Sequence, residues 1–198
     1  EKRGPFLTML RHLAARSAEF LNASELASAS GVQVSTIMGW VDVLERMHVV
    51  RRLAPWFSNL NKRLVKTPKL YFLDAGLAAR LQGWRALDPL VYSPNAGPLF
   101  ETLVFGELVR TIDHADLALD VHLFRTRDGD EVDFVVSGGG RSIALEAKLG
   151  VSGISPQPLP AALAKEFPAI ETLYVVSSGG RRQQLSRTCE QVPVTGLF

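Results

Sequence analysis

The sequence predicts an α/β chain of the α+β kind in two units, a winged helix-turn-helix over residues 1–84 and a mixed sheet-and-helix domain over residues 85–198. Three observations carry this. Apolar residues recur at helical spacing from Phe6 to Met47, and strict alternation governs two neighbouring segments between Glu131 and Leu149. Between them Pro and Gly gather in the stretch Gly83 to Pro98, GWRALDPLVYSPNAGP, which reads as a boundary.

The first unit follows from its punctuation. Phe6, Met9, Leu10, Leu13 and Phe20 define a first helix. Asn22 followed by Glu25 reads as a capping-box-like start for a short second one, and Ser30-Gly31 as a turn. Ile37, Val41 and Leu44, with Trp40 and Val43, predict a longer amphipathic helix from Val34 to Met47. Two β-rich stretches, Val49 to Trp56 and Leu64 to Leu73, then supply a wing. Arg51, Arg52, Lys62, Arg63, Lys66 and Lys69 fall in that wing with no acid between Arg46 and Asp74, so we expect six cations able to contact phosphates. A solvated hairpin face or a protein-docking module remains the plainer alternative. The third helix offers few base-reading side chains, namely Gln33, Ser35, Thr36 and Arg46, which argues against sequence-specific reading of DNA.

Composition bounds the rest. A chain of 198 residues with 46% hydrophobic and 21% charged side chains is neither disordered nor a small disulfide scaffold. Its 22 basic and 20 acidic residues leave a net charge of +2, so any polyanion must be met by local clusters. Cys189 stands alone, which excludes an internal disulfide and fits a reducing, cytoplasmic location. No apolar window approaches the roughly 18 residues of a membrane span, so no membrane partner is expected. Glu-Lys-Arg-Gly-Pro at the start has neither an initiator Met nor a signal h-region, and the chain reads as part of something longer. A mean hydropathy of +0.10 suggests apolar surface meant for another domain or subunit, and leaves homo-oligomerisation open.

The second unit carries the chemistry. Leu99 to Ile112 predicts a helix with Glu101 in its first turn, where the helix dipole favours an acid. Val121 to Thr126 reads as a strand, and Asp128-Gly129 as a two-residue hairpin turn into Glu131 to Val136. Alternation puts Val132, Phe134 and Val136 on one face and Glu131, Asp133 and Val135 on the other. After Gly138-Gly139-Gly140, the strand from Ser142 to Leu149 sets Ile143, Leu145, Ala147 and Leu149 against Ala144, Glu146 and Lys148. Pairing Val132 with Ala147, Phe134 with Leu145 and Val136 with Ile143 keeps apolar side chains together; a one-residue slip would strand Asp133 opposite Leu145. The favoured register sets Asp133 opposite Glu146, with Cβ atoms about 4.5–5.5 Å apart, and Lys148 beside them. Two acids that close repel unless a cation lies between them, and Mg²⁺ suits a site of few carboxylates. Lys148 could then orient the attacking water or stabilise charge on a phosphate. A surface salt-bridge cluster is the alternative. A helix from Leu159 to Phe167, a buried strand from Glu171 to Ser177 and an edge strand from Gln191 to Val194 close the domain.

Glu101 on a helix, Asp133 on a strand and Glu146-Ala147-Lys148 on the next resemble the PD-(D/E)XK nuclease pattern of an αβββαβ core. From about Trp40 onward the chain more closely resembles the domain of unknown function that follows the ATPase domain in prokaryotic AAA-type ATPases. The residues that carry this run from Pro68 to Leu77, from Gly97 to Val104, and through Phe124-Arg125, Glu131 to Phe134 and Ala144 to Lys148. The resemblance implies a restriction-endonuclease-like core with Glu101, Asp133, Glu146 and Lys148 in the nuclease positions, the three acids as ligands of Mg²⁺. It implies an N-terminal ATPase domain as partner and duplex DNA, bound non-specifically, as substrate. No Gly-x-x-x-x-Gly-Lys-Ser/Thr loop occurs, so no nucleotide or ATPase activity is expected in this chain. The alternatives are a catalytically silent adaptor docking nucleic acid or protein, and a transcription regulator.

Overall fold

The computed structural model describes residues 3–56, 67–126, 128–150 and 154–196, arranged as a mixed α/β fold with a three-stranded and a six-stranded sheet. The chain forms two compact units, Glu1–Arg52 with Pro68–Gly106, and Leu53–Thr67 with Glu107–Phe198. Neither unit is one continuous stretch, so the division expected after residue 84 follows chain order where the fold does not.

In the first unit the order is α1 (Arg3–Ala15), β1 (Glu19–Phe20), α2 (Ala23–Ser30), α3 (Val34–Arg46), β2 (Val50–Leu53) and β3 (Lys69–Phe72), with the sheet ordered β1-β3-β2. This is the winged helix-turn-helix arrangement. Asn22 caps α2 as its spacing predicts, its Oδ1 accepting the Glu25 amide at 3.1 Å. Gly31, at φ 66°, ends α2 in the left-handed conformation and lets the Val32 amide return to the Ala27 carbonyl, which makes the tight turn before α3. Met9, Leu13, Leu26, Ile37, Val41, Leu44, Leu70 and Phe72 form the core, with Trp40 and Trp84 packed against it. Phe20 pairs with Lys69 in β1 and does not continue α1.

After α4 (Ala75–Leu81) and α5 (Leu87–Val91), the second of which falls inside the expected boundary stretch, comes α6 (Ala96–His114). The expected first-turn position of Glu101 does not hold. Pro98 is tolerated in the first turn, where its missing N–H costs nothing, so the helix starts at Ala96 and Glu101 lies in the second turn, beyond the dipole's reach. An ordered hydrogen-bond chain fixes its first half within the first unit: the Phe72 amide donates to Ser17 Oγ at 3.0 Å, Ser17 to Thr102 Oγ1 at 2.8 Å, and Thr102 to the Pro98 carbonyl at 2.8 Å.

The second unit holds β4 (Asp120–Arg125), β5 (Glu131–Gly138), β6 (Arg141–Lys148), α7 (Ala161–Glu166), β7 (Leu173–Ser177), β8 (Gln183–Ser186) and β9 (Cys189–Pro193), with a final 3-10 turn at Val194–Gly196. The sheet order is β4-β5-β6-β7-β9-β8. β4, β5 and β6 are antiparallel neighbours, whereas β6, β7 and β9 run parallel, which requires the crossover that contains α7. The order from α6 to β7 is the expected αβββαβ. Two expectations are corrected at its rim. The last strand is internal, because β8, whose Gln-Gln-Leu-Ser carries little apolar signal, forms the edge beyond it. The β4–β5 turn is longer than two residues, since Thr126 N–H donates to the Asp130 carbonyl at 2.9 Å. The other edge, β4, is covered in parallel by Ala54–Trp56: Leu123 N–H donates to Ala54 O at 3.1 Å and Trp56 N–H to Leu123 O at 2.7 Å. Trp56 then packs its ring 5.3 Å from His122 and 4.7 Å from Phe167, as a core anchor of this unit.

Gly139 and Gly140, at φ 55° and 76°, make the tight hairpin turn between β5 and β6. Gly138 is constrained differently, because a Cβ there would run into the Ala118 carbonyl and the Leu119 side chain. We expect Gly138→Ala to destabilise the protein by about 1–3 kcal/mol in urea unfolding, through overpacking. Asn22→Ala should cost about 1 kcal/mol in the same measurement, through the lost cap.

Candidate active site

The register predicted from alternation is the one formed: Phe134 pairs with Leu145 and Val136 with Ile143. The ladder stops there. At the next position Asp133 Oδ2 accepts the Ala147 amide at 2.9 Å, so a side-chain carboxylate takes the donor that a continuing ladder would give to a main-chain carbonyl. On the other side of β5, His122 pairs with Val135 but Phe124 with Val132, so β5 carries one extra residue across from Leu123. That β-bulge falls on Asp133 and Phe134.

The bulge corrects the expected faces. Val132 and Val135 differ in parity, yet both pack with Ala144, Phe124, Leu163, Phe167, Ile170 and Leu173. Val132, Asp133, Phe134, Val135 and Val136 are all buried, so only Glu131, at the start of β5, keeps an ionisable group partly open to solvent. On β6, Ile143 and Leu149 are 40% and 41% exposed, while Ala144, from the supposed polar face, is fully buried. Asp133, at 7% exposure, is thus withdrawn from solvent with the rest of the strand.

Glu146 and Lys148 share a face of β6, and Lys148 Nζ lies 2.8 Å from Glu146 Oε1. The Glu146 side chain retains 14% of its exposure and that of Lys148 43%, so the acid lies inside and the ammonium at the rim. Glu146 Oε2 is buried and has no hydrogen-bond partner among the described residues. Burial pushes this carboxyl above its ordinary value and the charge of Asp133 pushes the same way; the hydrogen bond and charge of Lys148 push back. Of the expected residues, Glu146 is thus paired with Lys148 and lies within electrostatic reach of Asp133.

Glu101 belongs to the first unit and is held there. Its Oε1 accepts from Lys69 Nζ at 3.0 Å and from the Tyr71 hydroxyl at 2.6 Å. Lys69 and Tyr71 are 5% and 0% exposed, so this is a buried ion pair. Its partners come from β3, far from Glu101 in sequence, and no local pattern announces them. Among the described residues no group of three or more His, Cys, Asp or Glu side chains is placed to hold a metal ion.

The cationic wing is also reduced. Arg52 donates through Nε to Glu45 Oε2 at 2.8 Å and pairs with Asp42 at 2.9 Å, and its main-chain amide binds Glu45 Oε1 at 2.9 Å. Acids from α3 thus neutralise Arg52, and burial against Glu101 removes Lys69 from any phosphate-facing surface. Arg51 is exposed on β2, and Lys62, Arg63 and Lys66 lie outside the described residues. No helix among the described residues is long and apolar enough to cross a membrane.

Because the folded state raises the Glu146 pKa, its protonated form carries stability that is complete below the ordinary glutamate value and lost as pH rises through the folded value. Glu146→Gln is therefore expected to melt higher than wild type at neutral pH. Thermal melts across pH should show that advantage disappear toward pH 3, where the carboxyl is protonated in both states.

The family described as Domain of unknown function (DUF4143) matches residues 96–197, and that described as Domain of unknown function (DUF8612) matches residues 1–88. "Uncharacterized protein Rv2008c" of Mycobacterium tuberculosis and "Uncharacterized protein Mb2031c" of Mycobacterium bovis are each 31% identical over 191 residues. The similarity covers 96% of this chain and 41% of each relative, so the chain spans about two-fifths of their length. No solved structure matches.

Proposed function

The chain belongs to the family described as Domain of unknown function (DUF4143), and for this member we propose a metal-dependent phosphodiesterase centre in the second unit, acting on DNA. One observation carries the reading. Two carboxylates from neighbouring strands are withdrawn from solvent, one with a partnerless buried oxygen, while a lysine stands at the rim.

Burying like charges together costs free energy that a structural role would not repay, since apolar residues of similar volume would hold the sheet as well. Asp133 and Glu146 would hold a divalent cation: Mg²⁺ binds through one or two carboxylates and completes its shell with waters and substrate phosphate oxygens. The bound ion would supply neutralisation of the phosphate and a more acidic water. The protein's own part is positional. The Ala147 amide fixes Asp133, so one acid is aimed before substrate arrives. Lys148, released from Glu146 Oε1 when that oxygen finds another cation, would orient a water or stabilise charge on the departing oxygen. The proposed centre uses the second unit's residues alone. An ATPase domain elsewhere in the parent protein would govern access of DNA to it.

A second reading makes the first unit a docking module for protein, with no catalytic role. The solvent-facing stripe of α3 favours it, since Ser35, Gly39, Val43 and Met47 present small and apolar groups and few that read bases.

Titration calorimetry with Mg²⁺ or Mn²⁺ should show binding that Asp133→Ala abolishes. A supercoiled-plasmid nicking assay should lose roughly 10²-fold or more of its rate in Lys148→Ala and in Glu146→Ala. Absence of metal binding, with all three variants indistinguishable from wild type, would leave the docking reading.

A further inference from the structure

Resting on the phosphodiesterase reading, we propose that the loop Ser178–Arg182 is a backbone-phosphate clamp at the same end of the sheet as the site and that Arg181 is its contact residue. Three parallel strands, β6, β7 and β9, end together: Lys148 pairs with Ser177, and Ser177 with Pro193. The loop that leaves β7 therefore emerges at the same end of the sheet as Lys148, on the adjacent strand about 4.8 Å away. Ligands of sheets with parallel strands bind outside such carboxyl ends.

The loop is held rather than free. Ser177 Oγ donates to the Gly179 carbonyl at 2.7 Å and accepts from Gln191 Nε2 at 3.0 Å, and both side chains are buried, at 0% and 5% exposure. Ser178 Oγ accepts the Gly150 amide at 3.1 Å, which ties the loop to the segment just past Lys148. Two consecutive arginines follow, with different fates. Arg182 is paired with Glu190. Arg181 is exposed and has no ion-pair partner among the described residues. Arg181 precedes β8, which lies beyond β9, so its main chain stands at the Lys148 end of the sheet but two to three strand spacings, roughly 10–14 Å, from β6. A held loop presenting one uncompensated guanidinium there suits a phosphate of a polymer's backbone further along than the one that reacts.

The same hairpin supplies its own control. Arg187, likewise exposed, lies in the β8–β9 turn just before Cys189, at the opposite end of the sheet. Binding of a fluorescein-labelled duplex to the full chain, measured by anisotropy at several salt concentrations in Ca²⁺, should weaken several-fold in Arg181→Ala. The slope of log K against log salt should fall by about one, and Arg181→Lys should restore much of both. Arg187→Ala, which removes the same charge, should bind as wild type. Equal binding by Arg181→Ala and wild type, or equal losses in Arg181→Ala and Arg187→Ala, overturns the clamp while leaving any nicking activity, and so the phosphodiesterase reading, intact. A wild-type chain that neither binds nor nicks DNA overturns both. Binding that depends on Arg181 in a chain that never nicks retains the clamp and removes the catalysis.

Discussion

The carboxylate of Asp133 accepting the Ala147 amide is the constraint on which the second unit's geometry turns. A main-chain donor in a sheet interior must be satisfied, and here a side chain does it. That single exchange ends the regular β5–β6 pairing just before Glu146, so the two strands are joined there through a side chain. It also leaves Asp133 bound and aimed, in contrast to Glu146, whose second oxygen has no partner. The two acids are therefore not equivalent. One is a fixed post and the other an open valence.

The β-bulge on the far side of β5 belongs to the same arrangement. Adding a residue opposite Leu123 turns the strand locally, so that Val132 and Val135 can both enter one apolar layer. The site is thus built from two departures from regular sheet structure on opposite edges of a single strand. Regular β-structure would have left the acids on a flat surface, screened by water.

What could be read from the sequence was what local rules determine. The cap at Asn22, the turn at Gly31 and the register of Phe134 with Leu145 follow from side-chain chemistry and a period of two. Alternation alone could not give the faces of β5, because the bulge resets the period and leaves no residue-type signature in Asp133-Phe134. Glu101 shows a second limit. Its acid in a helix looks available for a metal, and only the distant Lys69 and Tyr71 show it to be engaged within its own unit. The wing fails likewise: counting cations over Arg51 to Lys69 missed that Asp42 and Glu45, one turn apart on α3, reach Arg52. β8 escaped notice because an edge strand with one face in water needs little apolar content.

The interleaving of the two units has a practical side. The six-stranded sheet takes its outer cover from Ala54–Trp56, a piece of chain that falls between the first unit's two segments. Excising residues 96–197 by following the family boundary would strip that cover from β4 and remove Trp56 from beside Phe167. The product would expose a bare strand edge flanked by apolar side chains, a template for self-association. Insolubility of such a truncation would then report a missing tripeptide, not an unstable domain.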